Sequence, residues 1–417
     1  MGELSNYRSV LGKASPTALS LISITNKLFY IFFFFSGFTS LIQILTILQL
    51  LLVLAIIIYL TANIIYLVRL PPLRNPVVDP PRISVCVPAR NEERGIRACL
   101  QSLLNQNYPN FEVIAVNDHS SDRTGEIMCD LEKENSRLKV LQGQDLPEGW
   151  LGKPFALYQA FKIAEGEYLL FTDADPVFEC HALNTGVGVM RDRELDMLTL
   201  MPKAEFGSFW ERAVQPVIFG FIASLTRFKN VNDQDHESAM GFGAFLMFRR
   251  SSYEKIGGHE AGKADVLEDV LIAKRAKKAG LKLLVADAKQ LFSIRMYFGL
   301  KEIWTGWRKN MFLAMKRSVP LATWHVSMVL GFLLTPYIIL ALNIFLQTGW
   351  LWIGMALAGV VMVTTAAYKT CDELGLHRNT AALFPLGAIV MTAIMLNSML
   401  YTLVRKKTEW RGRIYPA

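Results

Sequence analysis

The chain has 417 residues, 52% of them hydrophobic and 19% charged, with a formal net charge of +8 and a mean hydropathy of +0.28. That balance is too apolar for an ordinary soluble protein, and the length leaves room for two to three domains. The positive charge does not point to nucleic acid, because the basic residues gather at the borders of apolar stretches: Lys316 and Arg317, then Arg405, Lys406, Lys407, Arg411 and Arg413.

From Leu28 to Val68 no residue is charged. At about 20 apolar residues per span, that is one long membrane helix or a tight pair. The Phe run at 32–35 reads as lipid-facing, and nothing resembles a cleaved signal peptide. Pro71-Pro72 and Pro80-Pro81 mark a stiff exit into a polar middle. Short apolar runs predict strands over 83–89, 111–118, 138–143 and 167–175. Amphipathic stretches predict helices over 91–106, with Asn91 as N-cap, over 120–135 and over 152–166. This alternation implies βαβ units and a mostly parallel, doubly wound α/β sheet, which binds ligands beyond the carboxyl ends of its strands. Arg90, Glu92, Asp118, Asp173 and Asp175 all fall at or just past those ends. Neither a GxGxxG turn nor a GxxxxGK[ST] loop is present, so a nucleotide would be held some other way.

Asp173 and Asp175 form an Asp-x-Asp pair, expected on one side of an extended stretch. Two carboxylates that close suit a hard cation, Mg²⁺ or Mn²⁺, shared with phosphate oxygens. Further on, residues 215–228 are apolar enough to dip into a membrane surface where a lipid would arrive. Gly241 and Gly243 flank Phe242 in a turn that either lets backbone approach a sugar or acceptor, or makes a strand bulge. His259 reads as a turn residue rather than a metal ligand, because it lacks partners. Glu268 and Asp269 stand in the first turn of a helix, where acids favour the dipole. Trp304, Trp307, Arg308 and Lys309 read as an interfacial band more than as direct substrate contacts.

From Ser318 to Tyr368 no residue is charged apart from the neutral-leaning His325, which predicts two membrane helices broken near Gly349; about 379–404 predicts one more. The expected organisation is therefore an N-terminal segment over 1–77, a catalytic domain over 78–317 and C-terminal helices with a basic tail over 318–417. The positive-inside rule puts the middle domain in the cytoplasm, under the inner membrane. Three helices after it would then leave the basic tail outside, so one stretch is re-entrant or interfacial, or the count is wrong. The five cysteines form no CxxC pair, which fits a reducing compartment and gives no metal-site signal.

Five segments stand in the order and rough spacing of one enzyme family: VPARNEE (87–93), VNDHSSDRT (116–124), GKPFAL (152–157), FTDADP (171–176) and LEDVLIAKRAKKAG (267–280). Over roughly residues 80–315 the chain resembles glycosyltransferase family 2, which has the GT-A fold and takes sugars from nucleotide diphosphates. The resemblance implies that Pro88, Ala89, Arg90 and Glu92 wrap the base and ribose. It implies that Asp118 bonds the base and that Lys153 lies near the nucleotide. Asp173 would reach the ribose or the metal, and Asp175 the metal that bridges the phosphates. Asp269, beside Glu268, would be the catalytic base of an inverting transfer.

GWLGKPFAL (149–157), GFGAFLMFRRSSYEKIGGH (241–259), RMY (295–297), GWRKNMF (306–312) and EWRGRIY (409–415) are similar to the membrane-bound subgroup that glycosylates carotenoids, hopanoids and related lipids. The Gln-x-x-Arg-Trp of the family's polymerising synthases is missing, and Trp307-Arg308 has the reverse order. The expected partners are a nucleotide sugar, UDP-linked, and a lipid acceptor. Transfer to a polyprenyl phosphate, polysaccharide synthesis and an inactive sugar-nucleotide-binding protein are the rival readings.

Overall fold

In the computed structural model, backbone is described for residues 16–405, 407–410 and 413–416, and side chains for residues 37–404. The Phe run at 32–35 and the basic tail residues Arg405, Lys406, Lys407, Arg411 and Arg413 lie outside the described side chains.

The elements run α1 (Pro16–Ile64), β1 (Val68–Arg69), β2 (Ile83–Ala89), α2 (Ile96–Leu104), β3 (Phe111–Asn117), α3 (Thr124–Glu134), β4 (Leu138–Gln142), α4 (Gly152–Ile163), β5 (Tyr168–Phe171) and β6 (Val177–Phe178). They continue with α5 (Ala182–Asp192), β7 (Met197–Met201), β8 (Lys203–Ala204), α6 (Phe209–Leu225), α7 (Phe228–Asn232), β9 (Leu246–Arg249), α8 (Arg250–Lys255), α9 (Glu268–Lys278), β10 (Leu283–Asp287) and β11 (Phe292–Ile294). The last are α10 (Leu300–Ala314), α11 (Val319–Leu333), α12 (Thr335–Phe345), α13 (Trp350–Glu373), α14 (Phe384–Arg405), β12 (Lys407–Trp410) and β13 (Arg413–Pro416).

Eight strands form one sheet in the order β1-β10-β7-β9-β5-β2-β3-β4. All its pairings are parallel except those of β9, which runs antiparallel to both β5 and β7. The central strands are buried along their length because both faces are covered. On β2, Ile83, Val85 and Val87 turn to one face, against Ile96 and Leu100 of α2. Cys86 turns to the other, with Leu157 of α4 and Ile272 of α9. That two-residue alternation is the pleat read directly from the sequence. A smaller sheet, β6-β11-β8, follows the acid-bearing loop.

The parallel strands β2, β3 and β5 all end at the same edge. Antiparallel β9 begins there, with Leu246 opposite Phe171, so residues 241–243 are brought to that edge from the other direction. Helix α9 leads into β10, which lies parallel to β7, so its N-terminus with Glu268 and Asp269 faces the same edge.

Two sequence expectations are corrected. The strand expected over 167–175 ends at Phe171, because the ladder to β2 ends at the Phe171–Cys86 pair. Thr172 then spends its hydroxyl on the Ala244 carbonyl at 2.7 Å. Asp173 and Asp175 thus sit in a bend rather than on an extended stretch. The helix expected from 91 begins at Ile96. Asn91 has φ +53°, and its side-chain oxygen accepts from Ser121 N–H at 2.8 Å instead of capping a helix.

Residues form two compact units, Met1–Ile57 with Leu330–Ala366, and Ile58–Val329 with Ala367–Ala417. Among the described residues three helices are long and apolar enough to cross a membrane, within Gly37–Ile64, Trp350–Glu373 and Arg378–Val404. The first apolar stretch is one helix rather than a pair. The second breaks at Gly349, as expected, and also between α11 and α12, which bend by 52°. Pro336 at the start of α12 explains that extra break, since its ring cannot continue the ladder. In the first unit Gln49 offers Nε2 to the Gly331 carbonyl at 2.9 Å, satisfying a group next to the break. In the second unit α14 packs along α6 and α10.

Candidate active site

The loops after β2 and β3 are laced into one piece. Arg90 Nη1 donates to the Asp118 carbonyl at 2.6 Å and the His119 carbonyl at 3.2 Å, with Asp118 Oδ2 at 4.0 Å. Asp118 N–H donates to Ala89 O at 2.8 Å, next to Pro88 at the end of β2. Glu92 N–H donates to Thr124 Oγ1 at 2.8 Å, and Glu93 N–H to Asp122 Oδ2 at 3.2 Å. Pro88, Ala89, Arg90 and Glu92 at the end of β2 and Asp118 at the end of β3 therefore line one continuous stretch of the sheet edge.

A second group meets them from the other half. Lys153, in the first turn of α4, places Nζ 2.6 Å from Asp173 Oδ1 and 2.5 Å from Glu268 Oε1. Asp269 accepts Val270 N–H on Oδ1 at 2.8 Å and Gly243 N–H on Oδ2 at 3.0 Å. Gly241 lies so close to the Asp269 carbonyl that a Cβ would overlap it. A Cβ on Gly243 would fall 2.8 Å from Lys153 Nζ and 3.3 Å from Asp173 Oδ2. At Gly241 the close approach to backbone excludes any side chain, whereas at Gly243 a side chain would have to displace the Lys153 ammonium. Asp175 backs onto the start of α2, where a Cβ on Gly95 would lie 3.4 Å from its Cα.

Burial, then the charge of neighbouring Glu268, pushes the Asp269 carboxyl up to about 7, against the pull of Lys153. Burial disfavours the Lys153 ammonium, but Asp173, Glu268 and Asp269 together outweigh it and hold the group well above its usual range. The site thus contains a carboxyl that binds a proton near neutrality beside a permanently charged lysine. A carboxyl with that affinity exchanges its proton near neutral pH, as acid–base chemistry requires.

The other expected residues have partners of their own. Trp304 donates Nε1 to Asn397 Oδ1 of α14 at 3.1 Å, and Arg308 stacks over the Tyr401 ring at 4.3 Å. Trp307 is buried between Phe219 and Tyr297. His259 is a buried turn residue, with Nδ1 2.8 Å from Tyr253 OH, and burial lowers it to about 3.

Sequence reasoning missed two features. One is that Lys153 is paired to the acids of both walls. The other is the ion pair of Arg295 with fully buried Glu211, at 3.0 and 3.1 Å, which also caps α6. The tripeptide RMY at 295–297 was the only trace of it, and no local pattern links position 295 to 211.

Among the described residues no group of three or more His, Cys, Asp and Glu side chains is arranged to hold a metal ion. The Asp173–Asp175 bend nonetheless offers two hard oxygen donors, both half-buried. That set suits a divalent cation whose remaining ligands are substrate oxygens and water.

Residues 84–257 match the family described as glycosyl transferase family 2. The 4,4'-diaponeurosporenoate glycosyltransferase of Staphylococcus haemolyticus is 24% identical over 341 residues, which are 79% of this chain and 88% of that protein. The enzyme of the same name from Staphylococcus aureus is 24% identical over 339 residues, 80% and 88% respectively. Among solved structures, a mannosyltransferase from Pyrobaculum calidifontis in complex with GDP-Man and Mn²⁺ aligns with a TM-score of 0.50 and 17% identity. The alignment covers 89% of this chain and 99% of that one, and shows a shared GT-A fold.

Proposed function

We propose that this chain, which carries a glycosyl transferase family 2 domain, is a membrane-bound, inverting glycosyltransferase. It moves one sugar from a nucleotide diphosphate donor, UDP-linked, to the hydroxyl of a lipid such as a carotenoid or hopanoid. The observation that carries the reading is Asp269, a carboxyl raised to about 7 and fixed by Gly243 N–H, at the sheet edge that also gathers Asp118, Lys153 and Asp173.

The laced loops with Pro88, Ala89, Arg90, Glu92 and Asp118 hold base and ribose, and Lys153 faces the diphosphate. Asp173 and Asp175 would hold Mg²⁺ or Mn²⁺ together with phosphate oxygens, and the ion would neutralise charge on the departing diphosphate. Asp269 Oδ2 takes the proton of the acceptor hydroxyl as that oxygen bonds to the anomeric carbon. The bond from that carbon to the phosphate oxygen breaks, and attack from the opposite side inverts the configuration. The absence of Gln-x-x-Arg-Trp supports a single transfer over polymerisation.

A second reading is favoured by the relatives' name, whose "-oate" ending denotes a carboxylate acceptor. An ionised carboxylate needs no base, so under that reading Asp269 is dispensable.

The sheet unit faces the cytoplasm in this proposal. If the bent α11–α12 pair turns back instead of crossing, two spans follow the catalytic residues and the basic tail returns to the same side, as the positive-inside rule asks. The test is transfer in detergent from a panel of nucleotide sugars to total membrane lipid, with Mg²⁺, Mn²⁺ or EDTA. Metal-dependent transfer to lipid, lost in Asp175→Asn and Asp269→Asn, supports the main reading. Transfer retained in Asp269→Asn alone supports the carboxylate acceptor.

A further inference from the structure

Lys153 stands where two walls of the site meet. One wall is the bend after β5 with Asp173 and Asp175; the other is the first turn of α9 with Glu268 and Asp269. Contacts of 2.6 and 2.5 Å from one ammonium to carboxylates on both walls are charge-assisted hydrogen bonds of the strong class. Among the described residues, no other lysine or arginine lies within ion-pair distance of Asp173 or Glu268. Carboxylates crowded this closely need a positive charge among them, and here the protein supplies its own.

We propose that Lys153 is the resident counter-charge of this acid cluster, and that it makes binding of the divalent cation conditional on the donor's diphosphate. The inference rests on the reading of the site as one that takes a nucleotide diphosphate with a metal. Without donor, a cation approaching Asp173 meets the ammonium already on Oδ1 and is repelled by it. A diphosphate competes for Lys153 with a higher charge density, draws Nζ away and releases Asp173 toward the metal. Gly243 provides the room for this movement, since any side chain there would begin 2.8 Å from Nζ. Linkage then requires that metal tighten diphosphate binding by the factor with which diphosphate tightens metal binding.

The experiment measures Mn²⁺ binding to the full-length protein in detergent, by electron paramagnetic resonance, with and without UDP or GDP. Wild type is compared with Lys153→Met and with the charge-keeping Lys153→Arg. The expected results are at least tenfold tighter Mn²⁺ binding by wild type when the nucleotide is present, and the same behaviour in Lys153→Arg. Lys153→Met should bind Mn²⁺ without nucleotide at least tenfold more tightly than wild type, bind UDP or GDP more weakly, and lose most of the coupling. A lysine of merely structural importance would not produce a gain in metal affinity on removal. The proposal is overturned if Lys153→Met binds Mn²⁺ no more tightly than wild type. It is equally overturned, independently of how the variant folds, if wild type binds Mn²⁺ alone as well as it does with nucleotide. Failure of wild type to bind either nucleotide with any metal would instead overturn the functional reading on which the inference depends.

Discussion

Gly243 donates its backbone N–H to Asp269 Oδ2 at 3.0 Å while its Cα faces Lys153 Nζ, where a Cβ would stand only 2.8 Å away. One residue without a side chain thus sets the orientation of the carboxylate and leaves space for the lysine. Gly243→Ala should push Lys153 or the turn aside and displace Asp269. A shift of this kind costs about a hundredfold in rate when it misaligns reacting groups. Steady-state transfer assays should show the loss in kcat.

The proposed role of Asp269 implies a pH signature for the reaction. Its carboxyl is raised to about 7, by burial first and Glu268 second. A base works only when deprotonated, so kcat/KM should climb with pH through about 7 and level off above it. The stability sign is opposite. The folded state holds this proton at pH values where the unfolded chain has released it, so the carboxyl weakens the fold as pH rises from the ordinary carboxylate range through about 7. Asp269→Asn should therefore melt higher than wild type at pH 8, with the difference vanishing near pH 4, although transfer to a hydroxyl is lost. Melting curves at the two pH values check this.

Much of the half of the site that holds Arg90 and Asp118 is legible in the sequence because each of its parts is local. Strands β2, β3 and β4 are short apolar runs whose ends carry Arg90, Asp118 and their neighbours, and a parallel sheet collects such ends at one edge. The other half depends on long-range returns. Nothing local says that β9 runs antiparallel between β5 and β7, yet that reversal delivers Gly241 and Gly243 to Asp269. By sequence the Asp-x-Asp pair continues the apolar run Tyr168–Phe171, but the strand stops where its pairing with β2 stops. Asn91 has the residue type of a helix cap, yet its side chain is claimed by Ser121 across the loop.

Arg295 and Glu211 make a prediction about stability. Glu211 is fully buried and held down to about 2: burial opposes its charge, but Arg295 and the hydrogen bonds from Ser208 and Gly207 prevail. Removing Arg295 leaves the buried Glu211 carboxylate uncompensated, and because the guanidinium is 35% exposed the cost falls to about 2 kcal/mol, below that of a wholly buried pair. Arg295→Met should lose that much at pH 7 in urea melts. Because the folded carboxyl is depressed, the contribution is present above its ordinary pKa and disappears as pH falls toward 2, and the gap between variant and wild type should close in parallel.

Ser398 of α14 bonds to the backbone of α10. Its Oγ accepts Phe312 N–H at 3.0 Å and donates to the Arg308 carbonyl at 2.6 Å. A hydroxyl bonded to the backbone of another helix in this way joins the two helices. Ser398→Ala should cost about 1 kcal/mol, the net worth of a typical internal hydrogen bond. Thermal melts should register it, and the Phe312 amide should exchange hydrogen at a changed rate.

The central claim is that Asp269 is the base of a metal-assisted sugar transfer to a lipid hydroxyl. The most direct measurement is single-turnover transfer from the preferred nucleotide sugar to extracted membrane lipid, comparing wild type with Asp269→Asn at saturating donor and Mn²⁺. The account predicts a glycosylated lipid with wild type and a loss of about 10²–10⁴-fold in the chemical step with the variant, nucleotide binding remaining intact. An undiminished rate in Asp269→Asn would contradict it.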